Sequence, residues 1–164
     1  MKPIRSFVFC AAIGGAVVMP GALVHADLNV DEKGFVSIQL GDEKWEEYPG
    51  IPGISRMRVY GDPSKAGPYV IRVRFAPGTM SMPHFHGEDR MVTVLKGTWW
   101  TGKGPEFVLA TTEAIRAGGY VMHPAGEAHY DGAKDEEVIL QIAGVGPSST
   151  NFIDPDGAKT GRSK

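Results

Sequence analysis

The stretch from Gly78 to Gly97, GTMSMPHFHGEDRMVTVLKG, constrains this chain most: between two glycines it sets a proline, two histidines and an alternating apolar run. His84 and His86 stand one residue apart. On an extended strand residues two apart point to the same face, so both imidazoles can aim at one point. Neutral imidazole is a common ligand of divalent metals, and the pair suits such an ion, although two histidines also occur on strands with no ligand between them. Met91 to Leu95 then reads as a strand closed by a turn at Lys96–Gly97.

Short runs of this kind recur along the chain. Ile54–Tyr60 and Tyr69–Phe75 flank Gly61-Asp62-Pro63-Ser64, a turn by composition. In the second run Tyr69, Ile71, Val73 and Phe75 share one face, which predicts core, while Arg72 and Arg74 take the other. Arg56 and Arg58 repeat the basic alternation, so a cationic stripe is expected on the sheet exterior, answered by nearby acids. Trp99 and Trp100 must point to opposite sides of their strand, one into the interior and one under another segment or at an interface. Thr111–Arg116 is too short to stand as a helix before Gly118–Gly119. Val138, Leu140 and Ile142 alternate with Ile139 and Gln141 on a closing strand. Short strands separated by Gly and Pro turns predict an all-β fold, an antiparallel double-sheet barrel of jelly-roll form.

A second motif, GGYVMHPAGEAH, runs from Gly118 to His129. Together, G-x5-H-x-H followed by Gly97, then G-x5-P-x-G-x2-H, resembles the paired motifs of the cupin superfamily. The resemblance implies that His84, His86 and His129 are metal ligands and that Gly78, Gly97, Gly118 and Gly126 are turn glycines. It also implies one divalent metal ion per chain, with Fe, Mn, Zn and Ni as candidates, inside a double-stranded β-helix. Met80, Met82, Val92 and Val94 are the expected apolar neighbours of that site. The run from Tyr60 to Arg72 resembles small exported bacterial cupins, and this similarity covers residues 54 to 155 and speaks to fold rather than function.

The chain departs from the family pattern in one important place. Cupins usually carry a carboxylate ligand four residues after the second histidine, and here that position is Arg90. Glu88 shares strand parity with the histidines and is the candidate for a displaced ligand. Ala133 replaces the asparagine often seen after the third histidine. A three-histidine site is known among cupin dioxygenases, so metal binding is still implied. Arg90, Glu88 and His123 are the candidate catalytic residues. His123 shares parity with Val121 and could be a core histidine, a base beside the metal or a fourth ligand. If the strand holds register, Arg90 faces inward, where a guanidinium near a dication needs an anion between them. Glu88, Asp89, Glu127 or an anionic substrate could supply it, whereas a bulge near Gly87 would turn Arg90 to solvent.

Residues 1–26 read as a secretory signal: Lys2 and Arg5 precede an apolar stretch interrupted by glycines and Pro20, and Val24-His25-Ala26 offers a cleavage site. The single cysteine, Cys10, lies within it. Periplasmic or secreted location is therefore expected, with no membrane contact after cleavage. Loss of Lys2 and Arg5 leaves 15 of the 17 Lys and Arg against 19 acids, a formal charge of −4. Such a balance argues against nucleic-acid partners. The expected organisation is an arm over residues 27–53, a barrel over 54–147 and a polar tail over 148–164 that frays at its end. Asp42, Glu43, Glu46 and Glu47 of the arm read as a solvated face, with Trp45 and Tyr48 packing it onto the barrel or a second subunit of a homodimer.

Two functions fit these features. One is a mononuclear metal enzyme, dioxygenase-like or isomerase-like, acting on a small anionic or chelating substrate. The other is a cupin that binds or senses a metal or small ligand without catalysis. No serine or cysteine nucleophile carries a motif, no glycine-rich loop precedes a helix, and no carboxylate pair is placed for glycoside chemistry.

Overall fold

In the computed structural model of the chain, residues 29–162 are described; the signal segment, Cys10 and the Ala26 cleavage site lie outside them. The strands are β1 (Asn29–Val30), β2 (Val36–Ser37), β3 (Glu46–Glu47), β4 (Ile54–Tyr60), β5 (Gly67–Phe75), β6 (Thr79–Ser81), β7 (His84–Phe85) and β8 (Arg90–Lys96). They continue as β9 (Thr98–Lys103), β10 (Glu113–Arg116), β11 (Tyr120–His123), β12 (His129–Ala133), β13 (Val138–Gly146), β14 (Asn151–Phe152) and β15 (Thr160–Arg162). One 3-10 turn, Leu109–Thr111, precedes β10, so the stretch before Gly118 is strand rather than helix.

Two antiparallel sheets form the body, one in the order β11-β8-β13-β5-β4-β3 and the other in the order β10-β9-β12-β6-β15, with β7 also on β12 and β14 on β7. This is the jelly-roll barrel. Tyr69, Ile71, Val73 and Phe75 are all buried between the sheets with Val92 and Leu140, as the alternation in β5 requires. Each such side chain contributes about 1.5–3 kcal/mol when fully buried. Trp99 is completely buried, and Trp100, on the opposite face, lies under Lys134 with the ammonium 3.5 Å from the ring centroid. The β8–β9 turn needs Gly97: its φ is +78°, and a Cβ there would stand 2.4 Å from the carbonyl oxygen of Glu137.

The acidic face of the arm is solvated at Asp42, Glu46 and Glu47 but not at Glu43, and the described residues after 148 include paired strands. The arm lies across the barrel's own sheet, where β3 pairs with β4. Arg72 forms an ion pair of 2.5 Å with Glu43, and the two side chains are only 9% and 1% exposed. Glu43 is thus the buried counter-ion of the basic stripe, because Arg72 sits beneath the arm and cannot reach water. Arg74 stacks on Trp45 and Arg56 on Tyr48, at 4.9 and 4.7 Å. At the other end, β14 pairs with β7 and β15 with β6, so residues after 148 extend the second sheet.

Candidate metal centre

The three motif histidines come together because β7 and β12 pair with His84 directly opposite His129. His86 follows in the connection to β8, and its carbonyl accepts a 2.8 Å hydrogen bond from Gly126 N–H. Gly126 has φ of +79°, so the Pro-x-Gly turn uses glycine to aim that N–H at the H-x-H segment. The rings of His84, His86 and His129 have centroids 4.5–5.0 Å apart, and one ligand nitrogen from each lies within 4.8 Å of the others. All three are buried.

Each ring is held by a main-chain carbonyl. His84 Nδ1 lies 2.8 Å from Met82 O, His86 Nδ1 2.8 Å from Ser149 O and His129 Nδ1 3.0 Å from Glu127 O. A carbonyl oxygen only accepts, so in the neutral rings each Nδ1 carries the proton and each Nε2 keeps its lone pair. Nε2 of His129 is buried with no hydrogen-bond partner. An orphaned acceptor of this kind costs about 1–3 kcal/mol, which a cation at that nitrogen would recover. Three converging imidazole lone pairs, each fixed by an outer carbonyl, fit a divalent ion.

Burial keeps the His84 and His86 rings neutral. It pushes His84 down to about 4 against the opposing pull of Asp131, and pushes His86 lower still with the help of Arg90. His123 is also lowered to about 4, by burial first and by His129 second. At neutral pH no proton competes with a cation for these nitrogens.

His84 and His86, together with His123, line a cavity of about 70 Å³ between the sheets. Val92, Trp99, Leu140, Ile142 and Phe152 supply apolar wall, and Phe152 stacks 5.5 Å from His84. Of the four expected apolar neighbours only Val92 lines it. The register of β6 turns Ser81 inward, leaves Met80 packed on Gly132, and places Met82 beyond the strand with its carbonyl on His84.

Arg90 keeps its inward parity: it is 8% exposed, lines the cavity and stands opposite His123 in the β8–β11 ladder. Its Nε donates to Glu88 Oε1 at 3.0 Å and its Nη2 to Ser148 Oγ at 2.5 Å. Glu88 also accepts from Tyr69 OH at 2.9 Å. Burial alone would raise the Glu88 carboxyl, but hydrogen bonds from Ser148, Tyr69 and Arg90 outweigh it and hold the group below the usual carboxylate range. Glu88 is therefore the counter-ion of Arg90 and is not one of the residues whose ligand atoms cluster. Asp89 accepts from Ala125 N–H at 2.8 Å and ties the H-x-H segment to the Pro-x-Gly turn.

His123 lies in the cavity wall, its ring 3.8 Å from that of His129 and 5.5 Å from that of Trp99. The sequence reading missed Asp131. It is 7% exposed, is the one acid among the described residues that line the cavity, and accepts a 2.8 Å hydrogen bond from Ser81 Oγ. Its signal was available, since Asp131 is two residues beyond His129 on the same strand and shares its face.

No curated protein matches this sequence. Among solved structures, the chain is similar to the polyketide cyclase RemF from Streptomyces resistomycificus, with a TM-score of 0.60 at 16% identity over 75% of this chain and 88% of that one. It is also similar to the DMSP lyase DddQ from Ruegeria pomeroyi DSS-3, with a TM-score of 0.57 at 16% identity, covering 70% of this chain and 62% of the lyase. KdgF from Halomonas sp. gives 0.51 at 18% identity, over 65% of this chain and 89% of that one. At these identities the likeness carries the fold alone. The model of the ChrR Cupin-like domain family matches residues 33–148, most of the barrel and both histidine motifs, and the chain is a member of that cupin family.

Proposed function

We propose that this protein is an exported mononuclear metal enzyme, acting as an oxidoreductase or isomerase on a small anionic or chelating substrate. The observation that carries the reading is the set of three histidines whose Nδ1 atoms are committed to carbonyls, with the Nε2 of His129 buried and unpartnered. His84, His86 and His129 would hold the ion. A bound divalent cation supplies Lewis-acid polarisation of an oxygen ligand.

The chain's own residues do the rest. A cavity of about 70 Å³ admits a ligand of a few heavy atoms, and its apolar walls exclude bulk water. Arg90 reaches that cavity with its charge offset by Glu88, so it can orient an anionic group while its repulsion of a nearby cation is reduced. Proteins of similar fold include a polyketide cyclase and a DMSP lyase, so an enzyme is compatible with this barrel. The basic start, apolar stretch and small-residue cleavage site support export.

Metal analysis of untagged protein purified without chelators tests the centre. About one divalent ion per chain is expected, and none in His84→Ala/His86→Ala/His129→Ala. Equal metal content in that variant would refute the ligand assignment. Turnover of diketones, phenols and thiols by the metal-loaded protein tests the enzyme, and metal binding without any turnover would make it a binding or sensor module.

A further inference from the structure

The three histidines leave part of the cavity's ligand chemistry unused. His123, His129 and Asp131 form a second set: one ligand atom from each lies within 4.8 Å of the others, and all three residues are buried. The two sets share His129. Its Nδ1 is committed to the Glu127 carbonyl, so the single lone pair on Nε2 can serve either set but not both at once. The sets are therefore alternative positions for one ion rather than two independent sites.

Charge distinguishes them. Three neutral imidazoles leave a dication uncompensated in a buried cavity, and Glu88 is already spent on Arg90. Among the described residues Asp131 is the one acid lining the space. The Ser81 hydroxyl at 2.8 Å from Asp131 Oδ1 orients that carboxylate, as outer hydrogen bonds do for ligating carboxylates. Two imidazoles and one carboxylate make a donor set suited to Fe(II) and other ions that accept oxygen, whereas an all-nitrogen set favours ions such as Zn(II) and Ni(II).

We propose that the cavity holds its one divalent cation in either of two overlapping seats, His84–His86–His129 or His123–His129–Asp131. The proposal rests on the metal-centre reading in taking His129 as a ligand. It adds a seat of different charge and makes the choice of seat depend on the ion. The carboxylate missing at Arg90 is thereby supplied from β12.

Cobalt(II) titration of the metal-free full chain, followed by visible absorption and equilibrium dialysis, tests this. The wild type should bind one cobalt per chain. His84→Gln/His86→Gln should still bind one, with affinity reduced by at least about tenfold and an altered spectrum, and adding Asp131→Asn should abolish that binding. His123→Gln/Asp131→Asn should keep one cobalt in the three-histidine seat. Cooperative thermal unfolding certifies each variant, and His86→Gln alone provides the comparison should the double variant not fold. A folded His84→Gln/His86→Gln protein without cobalt, or one that still binds after Asp131→Asn is added, would overturn the second seat and leave the three-histidine centre standing. Two cobalt ions per wild-type chain would also overturn it, because the seats would not exclude each other. Loss of cobalt from His123→Gln/Asp131→Asn, with retention in His84→Gln/His86→Gln, would instead support the second seat and remove the three-histidine reading.

Discussion

Glu88→Gln isolates the charge that makes Arg90 tolerable beside a cation. The glutamine carbonyl can still accept from Arg90 Nε and Tyr69 OH, the 3.0 and 2.9 Å hydrogen bonds that now end on Oε1, so apart from the long 3.4 Å contact from Ser149 N–H to Oε2 the connectivity survives. What is lost is the charge. A charged hydrogen bond exceeds a neutral one by about 1 kcal/mol, and two are affected. Arg90 and Glu88 are each 10% exposed, so the guanidinium also keeps little water to replace its counter-ion. Breaking a buried pair costs about 3–5 kcal/mol, and the residual exposure places the expected loss near the low end, about 3 kcal/mol in urea unfolding. Metal affinity should fall as well, by roughly ten- to hundredfold, the range for partners that act through the ligands. Glu88→Gln/Arg90→Gln should recover most of that affinity, because it removes the repulsive charge. A stability loss below about 0.5 kcal/mol, with unchanged metal affinity, would refute the coupling between this ion pair and the histidine centre.

Three further outcomes are expected. Metal-free protein should lose stability as pH falls from about 6.5 toward 4: His84 and His123 are lowered to about 4, so the unfolded chain takes up protons that the folded chain refuses. The slope approaches about 1.4 kcal/mol per pH unit for each histidine, and flat stability over this window in a thermal-melt series would contradict their burial as neutral rings. Glu43→Gln should destabilise the fold by about 3 kcal/mol because Arg72 is left without its buried counter-ion, with lifting of the arm setting the upper limit; a loss under about 0.5 kcal/mol would mean the arm is not docked. Intact-mass measurement on protein exported by its native host should show a chain that begins just after Ala26, and a product that begins at Met1 would refute export.

Much of the barrel was legible because its long strands carry a period of two over many residues. Tyr69, Ile71, Val73 and Phe75 in β5 faced inward as the alternation required. The convergence of His84 and His86 was legible from strand parity, their meeting with His129 only from the resemblance to the cupin motifs, and the inward face of Arg90 from parity alone. The missed parts have a common cause. The strands β14 and β15 are two and three residues long, too short to show any period, so the segment after 148 looked like a tail. Glu43 looked solvated because its partner, Arg72, is 29 residues away in sequence. Asp131 was missed although it shares the His129 face, because the family pattern places its carboxylate after His86, on another strand. Met80 and Met82 were misplaced because the parity of β6 does not run unbroken through Pro83 to His84.

The carbonyl that fixes the ring of His86 belongs to Ser149, 63 residues further along the chain. A contact of that span closes a long loop, and such contacts form late because the entropy of closure must be met before they contribute. Ser148 and Ser149 also hold Arg90 and the amide of Gly87, so one late-docking segment sets both the histidine tautomer and the neighbouring cation. During synthesis the H-x-H pair emerges long before the residues that orient it. The nascent chain thus has histidines but no oriented site, and under the proposed function selective metal loading would be an event of the finished protein, in whichever compartment the last strands dock.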